Sequence, residues 1–111
     1  MLIYKVFRAA EWADMQQRGE TPGAPVDLAD GYIHLSTAVQ LPGTLAKHFA
    51  NETGLTLLAC ESGDMERDIR WEESRGGALF PHLYRNLRMS DVIWSREIAL
   101  TDGVHVTGVE E

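Results

Sequence analysis

Leu55-Thr56-Leu57-Leu58-Ala59-Cys60 stands at the middle of the chain. All but one of its residues are apolar, and a run this short reads as a buried strand. Sheet neighbours are legible on both sides. Downstream, Ile69 to Glu73 alternates, with Arg70 and Glu72 on one face and Ile69, Trp71 and Glu73 on the other. Val92 to Leu100 forms a further strand, and Asp102-Gly103 is a two-residue hairpin turn into Val104 to Val109. Between them, residues 74–91 read as a loop with one turn of helix.

Upstream, Leu2 to Arg8 is rich in β-branched and aromatic residues and predicts a first strand. Glu11 to Arg18 is helix-like, with Gly19 as its stop, and residues 20–30 carry two prolines and a glycine, which predicts an irregular loop. Gly31-Tyr32-Ile33-His34-Leu35-Ser36-Thr37 alternates as one strand, with Tyr32, His34 and Ser36 on a polar-aromatic face. Thr37 and Gln40 have capping-box spacing, so a helix is expected there. Pro42-Gly43 is expected to interrupt it, with Thr44 capping a second stretch through Leu45, His48 and Phe49. Strands dominate and helices gather in the first half. The class is therefore α+β rather than a βαβ repeat: one domain over residues 1–111, with a bent, mostly antiparallel sheet core and two or so helices. Trp71, Leu57, Leu58, Ile93 and Phe49 are expected to be largely buried.

Composition narrows the partners. The 111 residues are 44% hydrophobic and 24% charged, ordinary for a globular chain and wrong for collagen, a coiled coil or a disordered polymer. No apolar run approaches the roughly 18 residues of a membrane span. The start lacks the apolar stretch of a signal peptide and Cys60 is the single cysteine, so the cytoplasm is the expected location. A net charge of -7 argues against a broad nucleic-acid surface or an anionic membrane. Yet residues 67–96 hold six of the eight arginines and carry +2, leaving -9 for the rest. An arginine-rich island in an acidic chain suits a compact anion such as a phosphate; its plainer reading is local pairing with neighbouring acids.

Three segments, Gly31 to Thr37 with Gln40, Arg70-Trp71-Glu72, and Phe80-Pro81-His82-Leu83-Tyr84, together resemble the bacterial domain of unknown function 952 family. The resemblance covers nearly the whole chain and departs after Tyr84, where Arg85-Asn86 stand in place of the usual Gly-Pro. It implies a fold similar to the ADP-ribosylation fold of NAD-using toxins and RNA 2′-phosphotransferases, and no established activity.

The same segments carry the chemistry. Tyr32, His34 and Ser36 are expected to face a ligand, His34 donating to a ribose hydroxyl or phosphate. Ser36 has the alternative of capping the following helix. Arg70 is expected to grip a ribose or phosphate, and Glu72 to stabilise positive charge developing at a sugar carbon. Arg75, beside Gly76-Gly77, would bind an anion in a flexible turn. His82 would act as acid or base and Tyr84 would stack on a base or nicotinamide ring. Each has a structural alternative: a satisfied histidine, an ion pair flanking Trp71, a packed aromatic. No tight metal-ligand spacing occurs, so no metal is expected; Cys60 reads as a core residue. Three functions stand open: an ADP-ribosyltransferase-like or phosphotransferase-like enzyme with NAD as a substrate, a non-catalytic module for an anionic metabolite, and a protein whose arginine-rich loop docks on an acidic partner.

Overall fold

Every strand pairing among the described residues is antiparallel. The computed structural model describes residues 1–110, with Arg75 described by its backbone alone. The elements are β1 (Leu2–Arg8), α1 (Ala9–Arg18), β2 (Glu20–Thr21), α2 (Pro25–Asp30), β3 (Ile33–His34), β4 (Ser36–Thr37), α3 (Leu41–His48), β5 (Leu55–Glu61), β6 (Ile69–Glu73), β7 (Leu79–Leu83), β8 (Leu87–Arg88), β9 (Val92–Thr101) and β10 (Val104–Val106). They form a five-stranded sheet in the order β10-β9-β5-β1-β4, a three-stranded sheet β3-β7-β6, and a β2-β8 ribbon. This is a compact α+β domain with a strongly curled antiparallel sheet.

The apolar run at 55–60 is explained by its neighbours. β5 lies between β1 and β9, and both faces of the β1–β5 pair are covered. Ile3, Phe7, Leu58 and Cys60 pack with Met15 of α1, Ile33, Leu35, Met65, Leu83 and Leu87. On the other face Tyr4, Val6, Leu57 and Ala59 pack with Leu41 and Leu45 of α3 and with Ile98. A strand buried on two faces loses the alternation of a half-exposed one. Asp102 and Gly103 have φ of 51° and 77°, so the hairpin between β9 and β10 takes the left-handed turn that its residues prescribe. No helix among the described residues is long and apolar enough to cross a membrane.

Several expectations are corrected. Residues 20–30 are not an irregular loop: they hold β2 and the helix α2, with Pro25 in its first turn and Gly31 at φ 84° closing it. Pro42-Gly43 does not interrupt a helix. Pro42 sits in the first turn of α3, where its missing N–H breaks no intrahelical bond. The capping-box bonds between Thr37 and Gln40 do form, at 3.0 and 3.3 Å, but they close the turn leading into α3. Residues 74–91 contain a real strand, β7, at the centre of the three-stranded sheet.

The 31–37 segment is not one strand. Its chain changes sheets at Leu35, whose N–H bonds to the Pro81 carbonyl at 3.0 Å while Tyr4 already faces Ser36. Trp71 is 41% exposed and Ile93 54%, against the expectation of burial, and Phe49 is half-buried. β6 is the edge of its sheet. Ile93 falls where β9 shifts register, Ala59 facing Trp94 and Cys60 facing Val92, so it is the extra residue of a bulge and turns outward.

Candidate functional site

The change of sheets at Leu35 creates the main concavity. Among the described residues β4 covers β1 only at Ile3 and Tyr4, leaving the edge from Lys5 onward without a strand partner on that side. Along it opens a cleft of about 500 Å³, lined by Lys5, Val6 and Arg8 of β1, Asp30 of α2, His34, Lys47 of α3 and Phe80 of β7 among others. A smaller cavity of about 240 Å³ lies beyond, lined by Tyr32, Tyr84, Leu28, Arg85 and Asn86 among others.

His34 is held by a residue that sequence reading missed. Asp27 is 1% exposed. Its Oδ1 takes the His34 N–H at 3.0 Å and lies 2.7 Å from His34 Nδ1. Its Oδ2 accepts the Ala24 N–H at 2.7 Å and lies 2.8 Å from Lys5 Nζ. Lys5 also donates to the His34 carbonyl at 3.0 Å, tying β1 to β3 across the point where the sheets part. Burial by itself would push the Asp27 carboxyl up, but the His34 bond and the Lys5 charge outweigh it and hold the group below its ordinary range. Burial likewise pulls the Lys5 ammonium down, countered in part by Asp27. The signal for Asp27 was present in Pro25-Val26-Asp27, a helix start with an acid in its first turn. On its other side His34 Nε2 lies 2.9 Å from Asp30 Oδ2. A carboxylate oxygen thus stands beside each nitrogen of the ring.

The three predicted segments meet. Tyr32 stacks on His82 with centroids 4.1 Å apart and also lies 4.7 Å from His34 and 5.2 Å from Tyr84. The His34 and His82 rings are edge to face at 5.4 Å. Glu72 Oε1 lies 2.9 Å from His82 Nδ1 and accepts the Tyr84 hydroxyl at 2.5 Å. Those two bonds, Tyr84 first, lower the Glu72 carboxyl below its ordinary range. The Arg70 guanidinium lies over the Tyr84 ring at 4.7 Å. The cluster is nevertheless divided between cavities: His34 and Ser36 line the large cleft, Tyr32 and Tyr84 the small one, and Arg70, Glu72 and His82 neither. Ser36 does not cap α3; its hydroxyl bonds to that of Thr44 at 2.9 Å, pinning α3 to β4. The Arg75 side chain, expected to bind an anion, lies outside the described residues.

Two arginines of the island are engaged within the chain. Arg85 is paired with Asp68 and Asp91, and Arg96 lies over Trp94 at 3.9 Å. The described cations facing the cleft are instead Lys5, Arg8 and Lys47, none of them from the island. Arg8 is held by both oxygens of Glu52 at 2.8 Å. Among the described residues no three His, Cys, Asp or Glu side chains group as metal ligands.

The family model described as Protein of unknown function (DUF952) matches residues 6–95. The chain belongs to that family. Its structure is similar to that of the protein CC0527 from Caulobacter crescentus, whose crystal structure is 47% identical over 97% of this chain and 96% of that one, with a TM-score of 0.92. A crystal structure of a double mutant of CC0527 gives the same figures. Its solution NMR structure is 48% identical over 93% of this chain and 90% of that one, with a TM-score of 0.83. No curated protein matches the sequence.

Proposed function

We propose that this member of the family binds a ribose-phosphate nucleotide of the NAD type in the cleft beside β1, with His34 holding the ribose and Lys47 the phosphate. The observation that carries the reading is the cleft itself: about 500 Å³ of space with Lys47 on its wall, where Lys5 and Arg8 are already paired with Asp27 and Glu52. Its volume suits a nucleotide-sized ligand. The ADP-ribosylation-like fold implied by the sequence resemblance would suit the same class of ligand. In the catalytic form of this reading, Glu72 fixes His82 through Nδ1, which leaves Nε2 as the nitrogen for proton transfer. The chemistry is that of an ADP-ribosyltransferase or phosphotransferase.

A second reading, a non-catalytic module for an anionic metabolite, is favoured by one observation. Glu72 and His82, the residues expected to do chemistry, line neither cavity. Calorimetry with NAD and ADP-ribose, with product analysis of an NAD incubation, separates the two. Binding with turnover supports the enzyme, and binding without turnover supports the module. A charge-assisted bond contributes about 1.5–3 kcal/mol, so His34→Ala is expected to weaken binding roughly tenfold to a hundredfold. Absence of binding below millimolar concentration, or unchanged binding by His34→Ala, overturns the nucleotide reading.

A further inference from the structure

We propose that the outer edge of β6 pairs with β6 of a second copy of this chain, antiparallel and centred on Trp71. The surface is independent of the nucleotide reading, since β6 lines neither cavity. The phase of the backbone fixes which groups the edge offers. Pro81 has no N–H to give, and its carbonyl takes the Leu35 N–H on the β3 side. Trp71, opposite Pro81, therefore stands at a non-bonded position of the β6–β7 ladder. Bonds at both ends of the pair keep the same phase. The Tyr84 N–H reaches the Asp68 carbonyl at 2.8 Å, and the Ser74 N–H reaches the Ala78 carbonyl at 2.9 Å. The N–H and carbonyl groups of Ile69, Trp71 and Glu73 consequently point away from β7, where no strand among the described residues meets them.

Charge and exposure select a second copy as the occupant. A two-fold axis at Trp71 sets this residue opposite its own counterpart as a bonded pair, and the outward N–H and carbonyl suit that exchange. The same axis sets Arg70 opposite the partner's Glu72, and Glu72 opposite the partner's Arg70. Opposite charges directly across a strand pair attract, whereas charged residues on an edge ordinarily keep other chains away. Arginine and glutamate on either side of one central residue thus favour self-pairing. Trp71 is 41% exposed, and Leu79, diagonal to it on the same face, is 54% exposed. Pairing brings the two Trp71 rings together and takes apolar surface from water. On the opposite face the partner's Arg70 arrives beside Glu72, the carboxylate that already holds His82 and Tyr84.

A five-residue edge makes a small interface, so the dimer is expected to be half-formed at a chain concentration on the order of 100 µM. The test is sedimentation equilibrium of the intact chain from about 10 to 1,000 µM, a range chosen for a weak, reversible contact. The wild type is expected to pass from monomer to dimer across it. Trp71→Pro removes the central outward N–H and no bond to β7, so it is expected to stay monomeric, with circular dichroism confirming the fold. Arg70→Glu sets like charges opposite one another and is expected to weaken self-association about tenfold. Glu72→Arg does the same with positive charge. An equimolar mixture of these two variants, in which every acid faces a base, is expected to regain the wild-type association. A merely structural role of either residue would not produce that rescue. A wild type that stays monomeric throughout overturns the proposal, and so does a Trp71→Pro chain that dimerises like the wild type. A mixture that associates no more tightly than its components overturns it too. Should Glu72→Arg fail to fold, the wild type against Trp71→Pro decides.

Discussion

Glu72 and His82 are a diagonal pair across β6 and β7: Arg70 faces His82 and Glu72 faces Phe80 in register, yet Glu72 Oε1 reaches His82 Nδ1 at 2.9 Å. Diagonal neighbours in an antiparallel pair lie within reach of long side chains. The same oxygen accepts the Tyr84 hydroxyl, so one carboxylate orients His82 of β7 and Tyr84 just past its end.

Glu72→Gln is expected to lower the pH at which Tyr84 ionises. The hydrogen bond to Glu72 and its charge hold the phenol above its ordinary value of 10.0, because the negative charge favours the protonated form. Removing the charge releases that hold. Near-ultraviolet titration of the tyrosines, with Tyr84→Phe identifying the signal, checks this; an unshifted curve would show that the bond does not persist in solution.

Asp27→Ala is expected to cost about 3–5 kcal/mol, since it leaves buried Lys5 without its partner. Urea denaturation measures it. The pH dependence has a definite sign. The folded carboxyl lies below its unfolded value of 3.8, so its contribution is complete above that value and is lost as pH falls through the folded one. Lys5 has the same sign at the alkaline end: its folded value lies below 10.5, so stability rises with pH between the two. Asp27→Asn should therefore show a shallower acid limb than the wild type.

Gly23→Ala is expected to destabilise more than Gly31→Ala. Both glycines have positive φ, 110° and 84°, but a Cβ at Gly23 collides with the Asp27 side chain while one at Gly31 meets nothing within 4 Å. Gly31→Ala incurs backbone strain alone, of about 1 kcal/mol, and Gly23→Ala adds displacement of Asp27. Urea midpoints of the two variants give the order, and reversal would show that the 20–30 segment moves freely.

Cys60 is expected to resist thiol reagents in the folded protein. It is fully buried on β5, and burial pushes its thiol up to about 12. Only the thiolate is reactive, so labelling at pH 8 should proceed at the rate of unfolding and accelerate in urea. Immediate labelling would contradict the buried face of β5.

The elements legible from sequence were those set by nearest neighbours along the chain. β1, β5, α1 with its Gly19 stop, and the Asp102-Gly103 turn all follow from local pattern and turn chemistry. α2 was hidden by Pro22, Gly23 and Pro25, although Pro25 and Gly31 occupy ordinary helix-start and helix-end positions. β7 was hidden by Pro81, which has no N–H to give; its carbonyl takes the Leu35 N–H instead. Trp71 and Ile93 looked like core by type, but an edge strand and a bulge put them in solvent.

The candidate site divides in the same way. That Tyr32, His34, Glu72, His82 and Tyr84 are functional candidates was readable from their types and motifs, and their meeting around the Tyr32 ring follows from the β3-β7-β6 order. The role of Asp27, the Lys5 tie across the parted sheets, and the placing of Lys5, Arg8 and Lys47 on the cleft wall were decided by tertiary structure alone. The physical reason is separation along the chain. Strand and turn preferences act over a few residues, whereas Lys5 and Asp27 are 22 residues apart and Arg8 and Glu52 are 44 apart, so only the packed chain determines which charges are spent on each other and which face the cleft.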